Sequence, residues 1–306
     1  MIPKELLKDT LNRGLGICVY GGFGTRKTFG VHTCPYPILH MDNEGGAGSI
    51  VPWTRRSRRW DETKWVELSQ AEREAAYERV SDENKQFVQA VTRIKPGPLV
   101  DVVSFDTMNS ESFSASKEFI ANFDFGSYNT FAMDSVHEFA SGAQTFTKVK
   151  GGSTNVDPME LKYWAQAQER TAIPIRCLRD FRDKGVFVYL TVTEEIHKDY
   201  VTDPRSAPKG QQPDQPYSVK GTVGLPGQLT SRVPHLFDMI LHAKPMNGQI
   251  TWVASPEALP GGSASWEAKD RFGRLPRYVN PSVRAICDYN YGEEGRKRIY
   301  ASGANR

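Results

Sequence analysis

Residues 15–28 read Leu-Gly-Ile-Cys-Val-Tyr-Gly-Gly-Phe-Gly-Thr-Arg-Lys-Thr, and this stretch decides the fold. The apolar run Leu15–Tyr20 predicts a buried strand, because it is short, nearly continuous and followed by glycines. Gly21 and Gly22 predict a tight loop, and a helix is expected to open at its end. A strand that enters a glycine-rich loop and then a helix is the setting in which a phosphate-binding loop works.

The loop from Gly21 to Thr28 matches the pattern of glycine, four residues, glycine, lysine and serine or threonine at every position except one. Backbone N–H groups of such a loop curl around a phosphate, while Lys27 can reach the outer phosphates and the Thr28 hydroxyl can bind magnesium. Arg26 stands where the pattern has its second glycine, so it must tolerate the backbone geometry of the loop. The alternative is a glycine-rich turn that only joins two elements. The candidate nucleotide-binding residues are Gly21, Gly22, Phe23, Gly24, Thr25, Arg26, Lys27 and Thr28.

Acidic residues follow two further predicted strands. The run Thr130–Met133 leads into Asp134, and the run Ile38–Met41 leads into an acidic segment that contains Glu44. The carboxyl ends of neighbouring parallel strands meet at one edge of a sheet, so we expect Asp134 to hold Mg²⁺ and Glu44 to orient or deprotonate the attacking water. Asp106 is a weaker third candidate. The alternative is that a strand-end Asp only caps a helix or forms a turn.

The alternation of apolar and helical stretches predicts an α/β fold with a mainly parallel sheet flanked by helices. Further strands are predicted at 100–105, 186–192, 239–242 and 250–253, and helices at 70–92, 112–122 and 159–184. Four parts are expected along the chain. They are an N-terminal segment 1–14, a core 15–285 with an insertion at about 47–98, a mobile loop at about 203–227 within that core, and a C-terminal tail 286–306.

The composition excludes several classes of protein. With 39% hydrophobic and 25% charged residues, the chain of 306 residues can bury a large core. The net charge of +3 is too balanced to indicate a nucleic-acid or membrane partner by itself. No apolar run is long enough for a membrane helix, and the four cysteines form no CxxC pair, so we expect a cytoplasmic protein without a membrane partner, zinc knuckle or disulfide framework.

The segment Ala268-Lys-Asp-Arg-Phe-Gly273 follows the last predicted core strands. It closely resembles the Lys-x-Arg-Phe-Gly motif of the RadA branch of recombinases, whose basic residues act on the nucleotide of the neighbouring subunit. The strand before Glu44 is similar to the place where RecA-type recombinases carry their catalytic glutamate. Residues 14–285, apart from the insertion, thus resemble a phage-encoded, core-only RecA-like P-loop ATPase of the single-strand annealing and recombination kind.

This resemblance implies a RecA-like P-loop core with a helical insertion and an ATPase that binds ATP and Mg²⁺ between subunits. It further implies action on single-stranded DNA in phage recombination or replication, a homo-oligomeric ring or filament in the host cytoplasm, and contacts with single-strand-binding or recombination proteins. Two alternatives stay open, an annealing module with little or no hydrolysis and a small-molecule or nucleotide kinase. By the same resemblance, phosphate binding falls to Lys27 and Thr28, the metal also to Asp134, the catalytic acid role to Glu44 and a trans-acting role to Lys269 and Arg271.

By the same resemblance, single-stranded DNA is expected at two loops that follow core strands, 144–158 and 193–227. Both carry lysines and the second also carries a tyrosine, which fits backbone contact and base stacking. An ordinary solvated loop would have the same composition. The cluster of tryptophans and arginines at 53–65 is a rival site, although a local core or a subunit contact is the interpretation that its tryptophans favour. Glu194 and Glu195 stand where a nucleotide-sensing residue is expected.

Overall fold

The computed structural model of the protein describes residues 13–46, 56–61, 64–67, 69–72, 75, 99–122, 125–152, 161–200, 216–258 and 264–301. The strands are β1 (Gly16–Gly21), β2 (Ile38–Asp42), β3 (Arg56–Asp61), β4 (Lys64–Glu67), β5 (Leu99–Ser104), β6 (Thr130–Asp134), β7 (Phe187–Tyr200), β8 (Pro216–Val223), β9 (Met239–Met246), β10 (Gln249–Val253), β11 (Glu257–Ala258), β12 (Ala264–Trp266), β13 (Lys269–Asp270) and β14 (Tyr278–Val279). The α-helices are α1 (Ser110–Asn122), α2 (Val136–Lys150), α3 (Leu161–Phe181), α4 (Leu229–Leu236) and α5 (Val283–Ala301). Short 3₁₀ helices cover Thr28–Thr33, Phe125–Ser127 and Arg182–Lys184.

The central sheet has the order β14-β10-β9-β1-β7-β6-β2-β5-β3-β4. Every neighbouring pair from β9 to β3 is parallel, whereas β14, β10 and β4 are antiparallel additions at the two edges. The predicted fold class, α/β with a mainly parallel sheet flanked by helices, is therefore confirmed. In this order β1 lies between β9 and β7, and β6 and β2 follow beyond β7. Because these strands are parallel, the phosphate loop and both acidic strand ends lie at the carboxyl ends of the strands, and we call this side of the sheet the nucleotide edge.

Two apolar cores cover the two faces of this sheet, which explains why the central strands are apolar almost throughout. Alternate residues of β1 divide between them, with Cys18 and Tyr20 in one core and Ile17 and Val19 in the other. The first core also contains residues from α1, α2, α3 and α4. The second contains Ile286 and other residues of α5.

Three predictions about elements need correction. The helix expected after the phosphate loop is only the 3₁₀ helix Thr28–Thr33, because Gly30 weakens a helix there and Pro35 and Pro37 prevent its continuation. The boundary predicted between core and tail at 285/286 lies inside α5, which packs in the second core. In the loop predicted at 203–227, residues 216–223 form β8, paired with β7, while residues 201–215 lie outside the described residues.

The insertion predicted to be helical contributes strands. Arg56–Asp61 pairs in parallel with β5 and extends the central sheet, and Lys64–Glu67 pairs with it in turn. The helical composition of residues 70–92 predicted a helical insertion, whereas β3 and β4 carry charged residues in place of the apolar run that marks a buried strand. Residues 70–72 and 75 are helical, and residues 76–98 lie outside the described part of the chain.

We predict that Gly142→Ala destabilises the fold, although alanine normally favours a helix by about 1 kcal/mol over glycine. Gly142 lies in α2 against the loop after β5, where an added Cβ would lie 2.4 Å from the backbone oxygen of Thr107. Overpacking of this kind costs about 1–3 kcal/mol. Urea unfolding should show a lower midpoint for Gly142→Ala and little change for Ser141→Ala, the control at the neighbouring position. Equal stability of Gly142→Ala and wild type would contradict the packing of α2 described here.

Candidate functional site

The phosphate loop begins where β1 ends. An added Cβ at Gly21 would lie 2.3 Å from the backbone oxygen of Ala243 in β9, so only glycine fits at this position. Gly24 and Arg26 both have positive φ, 74° and 57°. The left-handed geometry that the pattern assigns to a glycine is thus kept by Arg26, although a side chain in this region costs about 1 kcal/mol. Phe23 lies at the tip of the loop and is 95% exposed.

The ammonium group of Lys27 lies inside the loop and donates hydrogen bonds to the carbonyl oxygens of Gly21 and Gly22, at 2.8 and 2.9 Å. The pKa of Lys27 is lowered by its burial, while the negative charges of Asp134, Glu44 and Glu194 act in the opposite direction. The ammonium is therefore surrounded by acceptors and lies close to three carboxylates. A bound phosphate would have to replace the two carbonyls.

Thr28 and Asp134 come together although 106 residues separate them, and the Thr28 hydroxyl donates to Asp134 Oδ2 at 2.5 Å. Thr191 of β7 donates to the other carboxylate oxygen of Asp134. His40 of β2 is fully buried, and its Nε2 lies 4.0 Å from Asp134 Oδ2. The structure thus places Asp134 at the end of β6 and in contact with the phosphate loop, while its metal-binding role stays a prediction.

The Thr28 and Asp134 oxygens fit a magnesium site. Mg²⁺ prefers hard oxygen ligands and keeps several of its waters, so a hydroxyl and a carboxylate beside a phosphate suffice. Gly46 leaves the necessary room, because a Cβ there would lie 3.3 Å from Asp134 Oδ2 and 3.6 Å from Thr28 Oγ1. Within the described ranges, no group of three or more His, Cys, Asp or Glu side chains could hold a metal by itself.

Glu44 follows β2, whose last residue lies in register with Asp134 of β6. The turn that carries Glu44 is closed by Asp42, whose Oδ1 accepts the N–H groups of Glu44 and Gly46 at 3.3 and 3.0 Å. The pKa of Glu44 is raised, first by loss of water around the carboxyl group and then by the charge of Asp134, while a hydrogen bond with Ser135 and the charge of Lys27 lower it. A carboxylate with a raised pKa is suited to accept a proton.

Lys269 and Arg271 lie near the amino ends of the central strands, away from the phosphate loop. Lys269 donates to the carbonyl oxygens of Pro234 and Phe237 at 3.0 and 2.9 Å, and Arg271 donates to Asp238 Oδ1 at 3.0 Å. The N–H of Asp238 bonds to Gly16, the first residue of β1, whereas the phosphate loop follows the last residue of that strand. At about 3.3 Å per residue, roughly 17–20 Å separates the two ends of β1. The pair therefore does not reach the phosphate loop of its own chain, and its predicted trans-acting role stays a prediction.

Several residues that support the site were not predicted. The hydroxyl of Tyr189 donates to the carbonyl oxygen of Lys27 at 2.7 Å. Thr191 and His40 contact Asp134 as described above, and both are polar residues within otherwise apolar strands, which was the available signal. Arg182, which pairs with Asp238 at 2.7 Å, gave no signal because it lies in a charged helix end.

Glu194 is held by neighbours on two other strands. Its Oε1 accepts the indole N–H of Trp266 at 2.8 Å and lies 3.2 Å from His242 Nε2. These contacts lower the pKa of Glu194, the hydrogen bond with His242 most strongly. Glu194 thus lies between the Lys27 side of the phosphate loop and the small sheet of β7, β8 and β12, while its predicted sensing role stays a prediction.

The two expected DNA segments differ in structure from the predicted loops. Residues 144–150 belong to α2, so Lys148 and Lys150 are on a helical end, and residues 153–160 lie outside the described residues. Residues 193–200 and 216–223 form an antiparallel ribbon of β7 and β8. Among its described side chains, Lys198 is exposed and Lys220 pairs with Glu267 at 2.8 Å.

Comparisons with known proteins find distant structural likeness only. No protein-family model and no curated protein sequence matches the chain. Among solved structures, the chain is similar to the flagellar accessory protein FlaH from Methanocaldococcus jannaschii, with 10% identity, a TM-score of 0.33, and coverage of 90% of this chain and 89% of that one. It is also similar to a prototypical ATPase from the type III secretion system of pathogenic bacteria, with 12% identity, a TM-score of 0.34, and coverage of 76% of this chain and 51% of that one. The chain thus spans about half of the second structure.

We predict that Tyr189→Phe weakens ATP binding several-fold, because the phosphate loop loses the hydrogen bond that holds the Lys27 carbonyl. The matched control is Tyr36→Phe, since the Tyr36 hydroxyl also donates to a backbone carbonyl near the end of the same segment, that of His32 at 2.6 Å. Each variant should lose about 1 kcal/mol of stability. Calorimetric titration with ATP at a temperature where both are folded separates them, and equal ATP affinities would contradict a positioning role for Tyr189.

Proposed function

We propose that the chain is a RecA-like P-loop ATPase that binds ATP and Mg²⁺ at the edge formed by β1, β6 and β2. The observation that carries the proposal is the hydrogen bond between Thr28 and Asp134, with the Lys27 ammonium beside it. A glycine-rich turn that only joined two elements would need neither a half-buried lysine nor a buried carboxylate in contact with the loop. The same convergence speaks against Asp134 as a mere helix cap.

Each residue has a defined part in the proposed reaction. Loop N–H groups and Lys27 bind the phosphates, and Thr28 and Asp134 hold Mg²⁺, which when bound neutralises charge that develops on the phosphate oxygens. Glu44 accepts a proton from the attacking water as that water forms a bond to the terminal phosphorus. The bond from phosphorus to the bridging oxygen breaks, and ADP leaves with the electron pair.

We propose that the protein binds single-stranded DNA. Support comes from the lysines at the end of α2 and on the ribbon of β7 and β8, which offer positive charge for phosphate contacts. The small sheet is joined to the nucleotide edge through Glu194, which lies beside Lys27 and bonds to Trp266 of β12. This connection offers a route by which DNA and nucleotide binding affect each other. We further propose a phage recombination or replication role in the cytoplasm of the host, in a ring or filament that meets single-strand-binding or recombination proteins.

The second candidate function is a DNA-annealing module that uses ATP only to assemble. One observation favours it, since the Lys27 ammonium is bonded to the carbonyls of its own loop and Arg26 occupies a glycine position. Turnover of ATP with and without single-stranded DNA decides between the two. Turnover that DNA stimulates supports the ATPase, whereas ATP binding without turnover supports the annealing module.

We predict that Glu44→Gln leaves ATP affinity unchanged and lowers turnover by about 10²–10⁴-fold, the usual contribution of a general base. Lys27→Ala should abolish ATP binding itself, and retained binding would remove the phosphate-loop assignment. Glu111→Gln is the control, because Glu111 is an exposed glutamate in the first turn of α1.

The pH dependence of turnover tests the same assignment. A base acts only when ionised, so wild-type turnover should fall as the pH drops through a pKa above the ordinary 4.5 of a glutamate. The residual turnover of Glu44→Gln should lack this acid limb. An acid limb that Glu44→Gln retains would place the base elsewhere.

We predict that a mixture of two inactive variants, Lys27→Ala and Arg271→Ala, regains turnover. In a trans arrangement, an Arg271→Ala subunit binds ATP and a Lys27→Ala neighbour supplies the arginine. Random pairing in equal amounts gives roughly a quarter of competent contacts in a closed ring. Absence of recovery in a mixture that still assembles would contradict the trans-acting role and leave Arg271 as a structural partner of Asp238.

A further inference from the structure

A cavity opens between α1 and α3, on the helical face of the sheet and apart from the nucleotide edge. Its volume is about 260 Å³. One wall carries Ile173, which is 50% exposed, and the other carries Ile120. A pocket that encloses a drug-sized ligand usually has about 300–1,000 Å³, so this cavity is large enough for one apolar side chain rather than for a whole small molecule. Its lining consists of Ser114, Lys117, Glu118, Ile120, Ala121, Asn122, Arg170, Ile173, Pro174 and Cys177.

Positive charge collects at one side of this cavity. The Lys117 ammonium lies 5.3 Å from the ring centre of Phe146, the Arg170 guanidinium 5.1 Å from it, and the Lys150 ammonium 5.7 Å from it. Lys117 and Arg170 also line the cavity itself. The buried ring of Phe146 thus holds three cations near each other, at the place where α1, α2 and α3 meet.

The cations lack a compensating anion within the described part of the chain. None of Lys117, Lys150 and Arg170 forms an ion pair there, and the partner of Arg170 is the neutral hydroxyl of Thr147, at 2.6 Å. Glu118, the acidic lining residue, forms no ion pair with any residue that the structure describes. The pKa of Lys117 is lowered first by burial and then by the charge of Arg170, against the weaker opposing effect of Glu118. An added anion would relieve this repulsion.

We propose that the cavity between α1 and α3 binds an acidic peptide segment of a partner protein, with one apolar side chain between Ile120 and Ile173 and its carboxylates against Lys117 and Arg170. None of the residues assigned to the ATP site lines this cavity, so the proposal does not depend on the proposed ATP binding. The cavity would bind the partner through the sequence of its acidic segment and would leave the proposed ATP site accessible.

The chemistry of the lining favours a peptide over single-stranded nucleic acid. Binding of single strands relies on exposed aromatic side chains for base stacking, and the rings nearest the cations, Phe113 and Phe146, are both buried. Pro174 has no N–H to donate to the carbonyl of Arg170 four residues earlier, so α3 leaves a backbone acceptor without its usual helical partner beside the cavity. A peptide backbone carries an N–H that can donate to such an acceptor, whereas the sugar–phosphate backbone of single-stranded DNA carries no donor.

The test selects binders from a displayed library of random linear peptides, using the full chain as the target. Selected peptides are then synthesised with a fluorescent label, and their affinities are measured by anisotropy for wild type, Lys117→Glu and Ile173→Asp. Ile173 is half exposed, so its substitution tests the cavity without opening the core. The matched control is Lys184→Glu, because the Lys184 ammonium also lies over a ring, 5.5 Å from Phe181, but outside the cavity. A labelled oligothymidylate is measured in parallel.

We expect selected peptides to carry clustered Asp or Glu beside Leu, Ile or Phe. Their affinity should fall roughly tenfold or more in Lys117→Glu and in Ile173→Asp, and stay unchanged in Lys184→Glu. Added salt should weaken binding to wild type, because surface ion pairs are screened. Selection of peptides without acidic enrichment, or of peptides that bind both cavity variants as tightly as wild type, would overturn the proposal. Loss of oligothymidylate binding in Lys117→Glu without any peptide effect would also overturn it and would assign the surface to nucleic acid.

Discussion

The buried carboxylate of Asp134 is the group on which the site depends. It is 1% exposed, and a carboxylate removed from water must be compensated by donors or by positive charge. The hydroxyls of Thr28 and Thr191 bond to its two oxygens, and the Lys27 ammonium lies close enough to feel its charge. These partners come from two segments, the phosphate loop and β7, so the Asp134 carboxylate at the end of β6 fixes the phosphate loop relative to β6 and β7. Substituting a neutral side chain would remove the charge that orders these partners.

The segment after the phosphate loop is held by side chains instead of by its own helix. The 3₁₀ helix Thr28–Thr33 is too short to be stable by itself, and its anchors come from distant parts of the chain. The Tyr189 hydroxyl bonds to the Lys27 carbonyl, and the Thr33 hydroxyl accepts the backbone N–H of Val283 at the start of α5. Tyr300 of the same helix donates to the Thr33 carbonyl. The C-terminal helix therefore helps to hold the segment that follows the phosphate loop.

The fold was predictable from the sequence where the signal is local and periodic. The β1 strand, its glycine loop and the acids at the ends of β2 and β6 are each contained in fewer than ten residues. In a parallel sheet the carboxyl ends of all strands lie on the same side, so these segments are expected to come together there. Contacts between distant residues carried no such signal, which is why the bond from Tyr189 to Lys27 and the pairing of β3 with β5 were missed. The proline content of residues 203–227 predicted a loop, whereas β8 begins at Pro216, because a strand tolerates proline at its first position. The short segment after Lys27 shows that a local motif fixes its own loop but not the element that follows.

The contacts of Arg271 bear on whether it can serve a second subunit. Asp238 offers one oxygen to Arg182 and the backbone N–H of Gly16, and the other oxygen to Arg271. Arg182 is buried and already neutralises Asp238, so the Arg271 charge is in excess. Because the Arg271 side chain is 40% exposed, moving it toward an anion outside would leave a buried pair that is still complete. Lys269 donates to the carbonyl oxygens of Pro234 and Phe237 and forms no ion pair with any described residue. Both positive charges are therefore available for the proposed trans-acting role at little cost to the fold.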